Sequence, residues 1–203
     1  MFVTTPKFIR KLFPSIVWEN KNYENKIWLT FDDGPSPEAT PLILDILKQE
    51  NVKATFFLIG SEIEQYPKLF NLIIANGHIV ANHSYSHKNG WKCNNKSYFD
   101  DIEKCQKLIP ENKIFRPPYG KISPFQIQHL KKKYKIILWD VLSWDFHVNS
   151  QPKQIKEHVL NNSVPGSIIV FHNNKKSLSA LKNILQETIK ELKQKGFLFS
   201  TTW

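Results

Sequence analysis

Long apolar runs, cysteine and arginine are all scarce in this chain of 203 residues. No stretch approaches the roughly 18 apolar residues of a membrane helix. The first twenty residues carry Lys7, Arg10 and Lys11 and have no apolar run longer than Ile16-Val17-Trp18. A secretory leader needs a longer one, so a cytoplasmic protein without a transmembrane segment is the expectation. Cys93 and Cys105 are the only cysteines; they read as free thiols, with one disulfide or a metal role as alternatives. Arg10 and Arg116 are the only arginines beside 26 lysines, so the net charge of +10 is almost wholly lysine. Such charge could draw nucleic acid or an anionic polymer. Apart from Lys131-Lys132-Lys133, however, the lysines are scattered along helix faces, as at Lys182, Lys190, Lys193 and Lys195. That pattern is a solvated surface, and no nucleic-acid partner is expected. Linkers of low complexity and internal repeats are also missing. With 41% hydrophobic residues the chain suffices for one core and not for two, and a monomer is expected.

What is present is a regular alternation of short β-branched or aromatic runs with amphipathic helical stretches, the pattern of a parallel α/β fold. Seven strands are placed near 27–31, 54–59, 78–82, 113–115, 135–139, 168–171 and 197–201. After the second, Ser61 and Glu64 read as a capping box, Tyr66, Leu69, Phe70, Ile73 and Ile74 as an apolar stripe, and Asn76-Gly77 as the stop. A second stripe, Leu178, Leu181, Leu185 and Leu192, precedes Gly196. Asp32-Asp33, His83, Arg116, Asp145 and His172 all fall at or just past the C-terminal end of an expected strand. In a parallel barrel those ends form one face, where catalytic groups converge.

Adjacent ionised carboxylates such as Asp32 and Asp33, in Thr30-Phe31-Asp32-Asp33-Gly34-Pro35, repel each other, so a cation or a titrating role is the usual compensation. An Asx turn ending the strand is the bland alternative. His83 and His87, in Asn82-His83-Ser84-Tyr85-Ser86-His87, are spaced i, i+4, which lets both reach one metal from a single helical turn. One Asp and two His would form a facial set with positions left open for water and substrate. Arg116 opens Arg116-Pro117-Pro118-Tyr119-Gly120, and its planar fork suits a carboxylate as lysine cannot.

Together these segments resemble the polysaccharide deacetylase family, also called the NodB-homology or carbohydrate esterase 4 family. The likeness runs over about residues 22 to 201, leaving 1–21 as an extension expected to pack on the deacetylase domain of 22–203. It implies a distorted, incomplete (β/α)7 barrel with the active site at the strand C-termini. It also implies roles: Asp32 as general base, Asp33, His83 and His87 as ligands of a divalent metal, Arg116 as the group orienting Asp32, and the Tyr119 backbone N–H as an oxyanion donor. Zinc suits such a donor set, while cobalt, nickel and iron remain compatible. The family's D-x-x-D-W motif is matched only by Asp145, the partner of the catalytic histidine, because Leu142 and Phe146 stand at its first and last places. L-x-H is matched by Val170-Phe171-His172, with His172 as general acid. Tyr119, Phe146 and Val170 then line the pocket. The implied reaction is hydrolysis of an N-acetyl group on an acetylated carbohydrate; an O-acetyl (xylan) esterase or a non-catalytic sugar binder are the alternatives.

Overall fold

The structure is a computed structural model describing residues 7–20, 24–109, 111–147 and 150–203. Helix α1 (Lys7–Leu12) and strand β1 (Ile16–Val17) lead into β2 (Lys26–Asp33), α2 (Thr40–Gln49), β3 (Thr55–Leu58), α3 (Gly60–Gln65), α4 (Pro67–Ala75) and β4 (Ile79–Asn82). Next come α5 (Asn95–Gln106), β5 (Ile114–Phe115), α6 (Pro124–Leu130), β6 (Lys135–Ile137) and β7 (Val141–Leu142). The chain ends with α7 (Pro152–Asn162), β8 (Ile168–Asn173), α8 (Leu178–Gln194) and β9 (Leu198–Phe199). The sheet runs β1-β6-β5-β4-β3-β2-β8-β7, with β9 added beside β2. Every one of these pairings is parallel. This is the curled, incomplete (β/α) barrel expected, but with nine strands rather than seven among the described residues. The two extra strands, β1 and β7, have two residues each. Neither is long enough to show a period in sequence. β1 lies before the boundary expected at residue 22, and it pairs with β6.

A strand covered on both faces is apolar almost throughout, and Ile27 to Phe31 shows how its alternation sorts two cores. Ile27, Leu29 and Phe31 face outward with Phe56, Leu58, Ile169 and Phe171, packing against Ile43 and Leu47 of α2 and Leu181, Leu185 and Leu192 of α8. Trp28 faces inward with Phe57, Ala81, Ile114, Ile137 and Ile168, filling the lumen. Because side chains alternate with a period of two, the inward series continues up each strand: Trp28-Thr30-Asp32, Ala81-His83, Ile114-Arg116 and Ile168-Val170-His172. The apolar plug therefore turns polar at the C-terminal rim.

Two local expectations are corrected. Ser61 and Glu64 form no capping box, because Ile59 caps α3 without a side-chain bond; Glu64 instead accepts a hydrogen bond from the Tyr85 hydroxyl at 2.6 Å. The helix is also broken in two at Tyr66 (φ −127°, ψ 57°), since Pro67 disfavours helical backbone in the residue before it. The stripe consequently narrows: Ile73 is buried, but Ile74 stays 41% exposed.

Candidate active site

Asp32 sits at the top of the lumen under a single dominant partner. The Arg116 Nη1 donates to its Oδ1 at 2.5 Å and to the Thr30 hydroxyl at 2.8 Å. The same side chain donates to the carbonyls of Ile137 and Leu138 and lies 3.8 Å above the Phe57 ring. Arg116 is fully buried. A guanidinium so enclosed keeps its charge and fixes the plane of the carboxylate. Thr30 donates onward to the Ile169 carbonyl at 2.8 Å, so it joins β2, β8 and Arg116. It went unsingled in the sequence, although a threonine interrupting an apolar strand two residues before Asp32 was its signal.

Asp33 is approached from three sides. His87 Nε2 lies 3.3 Å and His83 Nε2 3.9 Å from its Oδ1, and the Asn174 amide donates to its Oδ2 at 2.6 Å. Burial alone would raise its pKa, but His172, His83, His87 and Asn174 together hold it below the ordinary value. Burial also pushes the pKa of His83 down, and takes that of His87 to about 4, against the pull of the carboxylates. His83 Nδ1 meets the Arg116 carbonyl at 2.8 Å. A carbonyl only accepts, so Nδ1 carries the hydrogen and Nε2 turns a lone pair toward the carboxylates. One donor atom from each of Asp33, His83 and His87 falls within 4.8 Å of the others. Neutral imidazole nitrogen facing ionised carboxylate oxygen is an arrangement of acceptors against acceptors, and a divalent cation between them is what that donor set fits. Asn174 had no signal in sequence; it follows His172 by two residues, and the turn after β8 swings it under Asp33.

His83 and His87 do not share a helical turn, contrary to the expectation from their spacing. Residues 83–87 are a loop in which Ser84 (φ 62°) and His87 (φ 55°) are left-handed. The loop is pinned by side chains: Asn82 Oδ1 accepts from the Ser84 N–H, and Asp101 accepts from the N–H groups of Tyr85 and Ser86 and from the Ser86 hydroxyl. Among the described residues seven non-glycine positions have positive φ, and five of them, Asp33, Ser84, His87, Tyr119 and Trp144, lie on this face. Backbone strain gathered in one place marks a geometry held for function.

Across the rim, Asp145 Oδ1 lies 2.7 Å from His172 Nδ1, and its Oδ2 accepts from the His172 backbone N–H at 2.7 Å. Ser143, a second group the sequence did not reveal, donates to Asp145 at 2.9 Å. Burial lowers the pKa of His172, but Asp145 outweighs it, with smaller help from Asp33 and Asp32, and the imidazole is raised to about 9. With Nδ1 engaged, Nε2 is the nitrogen free to act. Phe146 stands edge-on to the imidazole, ring centres 4.7 Å apart, and Trp144 stacks behind it at 5.6 Å. Val170 is fully buried one inward step below His172. Leu142, at the place of the motif's first acid, pairs in register with Val170. Tyr119 (φ 59°) is 59% exposed and lays its ring against His87, centres 4.4 Å apart. Among the described residues its backbone N–H meets no protein acceptor. Cys93 and Cys105 are both free thiols, and neither belongs to the Asp33, His83, His87 cluster.

A parallel barrel whose rim sets an arginine-held carboxylate and a triad able to hold a cation opposite a carboxylate-held imidazole is arranged for hydrolytic chemistry. The polysaccharide deacetylase family model matches residues 19–134, and the chain belongs to that family. It is 40% identical over 183 residues to a peptidoglycan-N-acetylglucosamine deacetylase of Bacillus cereus, a match covering 87% of this chain and 66% of that protein. A crystal structure of a peptidoglycan N-acetylglucosamine deacetylase in complex with 4-naphthalen-1-yl-N-oxidanyl-benzamide aligns with a TM-score of 0.87 at 37% identity, over 92% of this chain and 90% of that one. A carbohydrate esterase 4 family pseudoenzyme from Bacillus anthracis aligns with a TM-score of 0.81 at 25% identity, over 92% of this chain and 66% of that one. No helix among the described residues is long and apolar enough to cross a membrane.

Proposed function

We propose that the protein removes N-acetyl groups from an N-acetylglucosamine-containing glycan, releasing acetate and leaving a free amino sugar. The names of the relatives give the substrate class. The observation that carries the reading is the opposition of Arg116-held Asp32 to Asp145-held His172 across the Asp33, His83, His87 triad. A divalent cation held by that triad, zinc first on donor type, supplies Lewis-acid chemistry toward water and the amide carbonyl.

The residues of the chain do the rest. Asp32, ionised beside Arg116, takes a proton from water as the water oxygen adds to the carbonyl carbon. The Tyr119 N–H donates to the oxygen that becomes negative. His172 Nε2 passes its proton to the sugar nitrogen as the carbon–nitrogen bond breaks. Asp145 holds the ring and keeps it protonated until then. Phe146 and Val170 give the methyl group an apolar wall. All these groups come from one chain, so a monomer suffices.

The test is acetate release from N-acetylglucosamine oligomers, peptidoglycan and acetylxylan, before and after treatment with a chelator. Release from the first two, lost on chelation and restored by a divalent metal, is expected. Turnover of acetylxylan alone would replace this reading with an O-acetyl esterase, and inactivity on all three in the metal-loaded protein would replace it with a sugar binder.

A further inference from the structure

Beside the triad, the loop after His87 carries an exposed tryptophan that the mechanism does not use. Trp91 is 62% exposed, yet the backbone beneath it is firmly held. The Gly90 N–H donates to the Lys121 carbonyl, the buried Gln126 amide donates to the Gly90 carbonyl at 2.8 Å, and the Trp91 N–H donates to Asn89 Oδ1. The approach is so close that a Cβ on Gly90 would meet the Lys121 carbonyl at 2.6 Å. The two segments run as a ladder: His87 touches the Tyr119 ring on one rung, and Lys121 Nζ lies 4.0 Å over the Trp91 ring on the next. Among the described residues no carboxylate forms an ion pair with Lys121, and Lys92 follows Trp91 in a chain of net charge +10. A lone exposed apolar side chain is ordinary. An indole on a firmly held backbone, with an ammonium over its ring, is more than a lone exposed side chain.

We propose that Trp91 and Lys121 form a subsite for the sugar next to the one that is deacetylated, the indole taking the apolar C–H face of the ring and the ammonium a carboxylate borne by that sugar. The inference rests on the reading that the substrate is an acetylated glycan, and it narrows that class to chains of more than one sugar bearing acidic substituents. Cation–π contact with the indole keeps the ammonium poised at the ring face without neutralising it.

Calorimetric titration of the intact protein with two probes tests this: a neutral tetramer of N-acetylglucosamine, and a tetramer of equal length bearing lactyl carboxylates on alternate residues. Wild-type protein should prefer the acidic tetramer. Trp91→Ala should weaken both about tenfold, equivalent to roughly 1.4 kcal/mol, while Trp91→Phe keeps most of the affinity. Lys121→Gln should abolish the preference and leave the neutral tetramer unaffected. Unchanged binding by Trp91→Ala, no preference in wild type, or a preference surviving in Lys121→Gln overturns the proposal. Acetate release by wild type is read separately. Binding that depends on Trp91 without acetate release would remove the deacetylase reading and keep the subsite; acetate release with binding indifferent to Trp91 would do the reverse.

Discussion

Two charge pairs face each other across the rim, and they solve the same problem in opposite ways. Asp32 with Arg116 is enclosed, the arginine fully and the aspartate nearly so. Asp145 with His172 leaves the imidazole side chain 17% accessible. In the first pair the guanidinium does not titrate and fixes the plane of the carboxylate. In the second the cation is the titrating group, and the carboxylate serves to raise its pKa. In the proposed mechanism one aspartate is held as a base by its partner, and the other makes its partner an acid. The pairs also differ in how family likeness reaches them, since the matched residues 19–134 include the first pair and end before the second.

The comparison breaks most severely if the carboxylate of the first pair proves interchangeable with its neighbour. Asp33→Ala and His83→Ala should lose bound metal and all turnover. Asp32→Asn should retain metal and lose about 10² to 10⁴ in turnover, the range for a general base. Metal analysis beside kinetics separates them, and metal loss in Asp32→Asn with retention in Asp33→Ala would reverse the roles.

Stability distinguishes the pairs next. Arg116→Met strands a buried carboxylate and should cost about 3–5 kcal/mol in chemical denaturation. Asp145→Asn should cost clearly less, because an imidazole can release its proton when its partner becomes neutral. Equal losses would mean that the second pair is as rigid as the first.

Asn174 sharpens the picture on the metal side. Its amide fixes Asp33 without touching the proposed cation, so Asn174→Ala should weaken metal affinity roughly 10- to 100-fold, read by chelator competition. Unaltered affinity would reduce that hydrogen bond to packing.

The smallest effect is a shift in pH. A pKa raised to about 9 keeps His172 protonated through neutrality, and activity should fall as pH rises through that value. Asp145→Asn removes the group that raises it, so the alkaline limb should move down toward 6.5, the unperturbed value, with metal retained. A departing amine needs the proton more than a departing alcohol does. His172→Ala should therefore harm amide substrates more than O-acetyl esters. An unmoved limb, or equal harm to both, would remove His172 as the acid.

Much of this was legible in the chain because the informative groups are close in sequence or share a period. Asp32-Asp33 announced itself as a repelling pair, His83 and His87 as a metal-ligand spacing, and Arg116 as a rare fork among lysines. Strand alternation alone places Trp28, Thr30 and Asp32 on one side and Ile27, Leu29 and Phe31 on the other, so the direction of the site follows from sequence. Tertiary structure decided what each of those groups leans on. Thr30, Ser143 and Asn174 act across strands or turns, and such partners are fixed by the parallel register that sets Asp32 beside His172 and Asp33 beside Asn173, which no local pattern encodes. It also decided that the two histidines meet through a left-handed loop tied to Asp101 rather than a helical turn. Spacing limits which atoms can meet, but the backbone between them takes whichever path its distant hydrogen-bond partners stabilise.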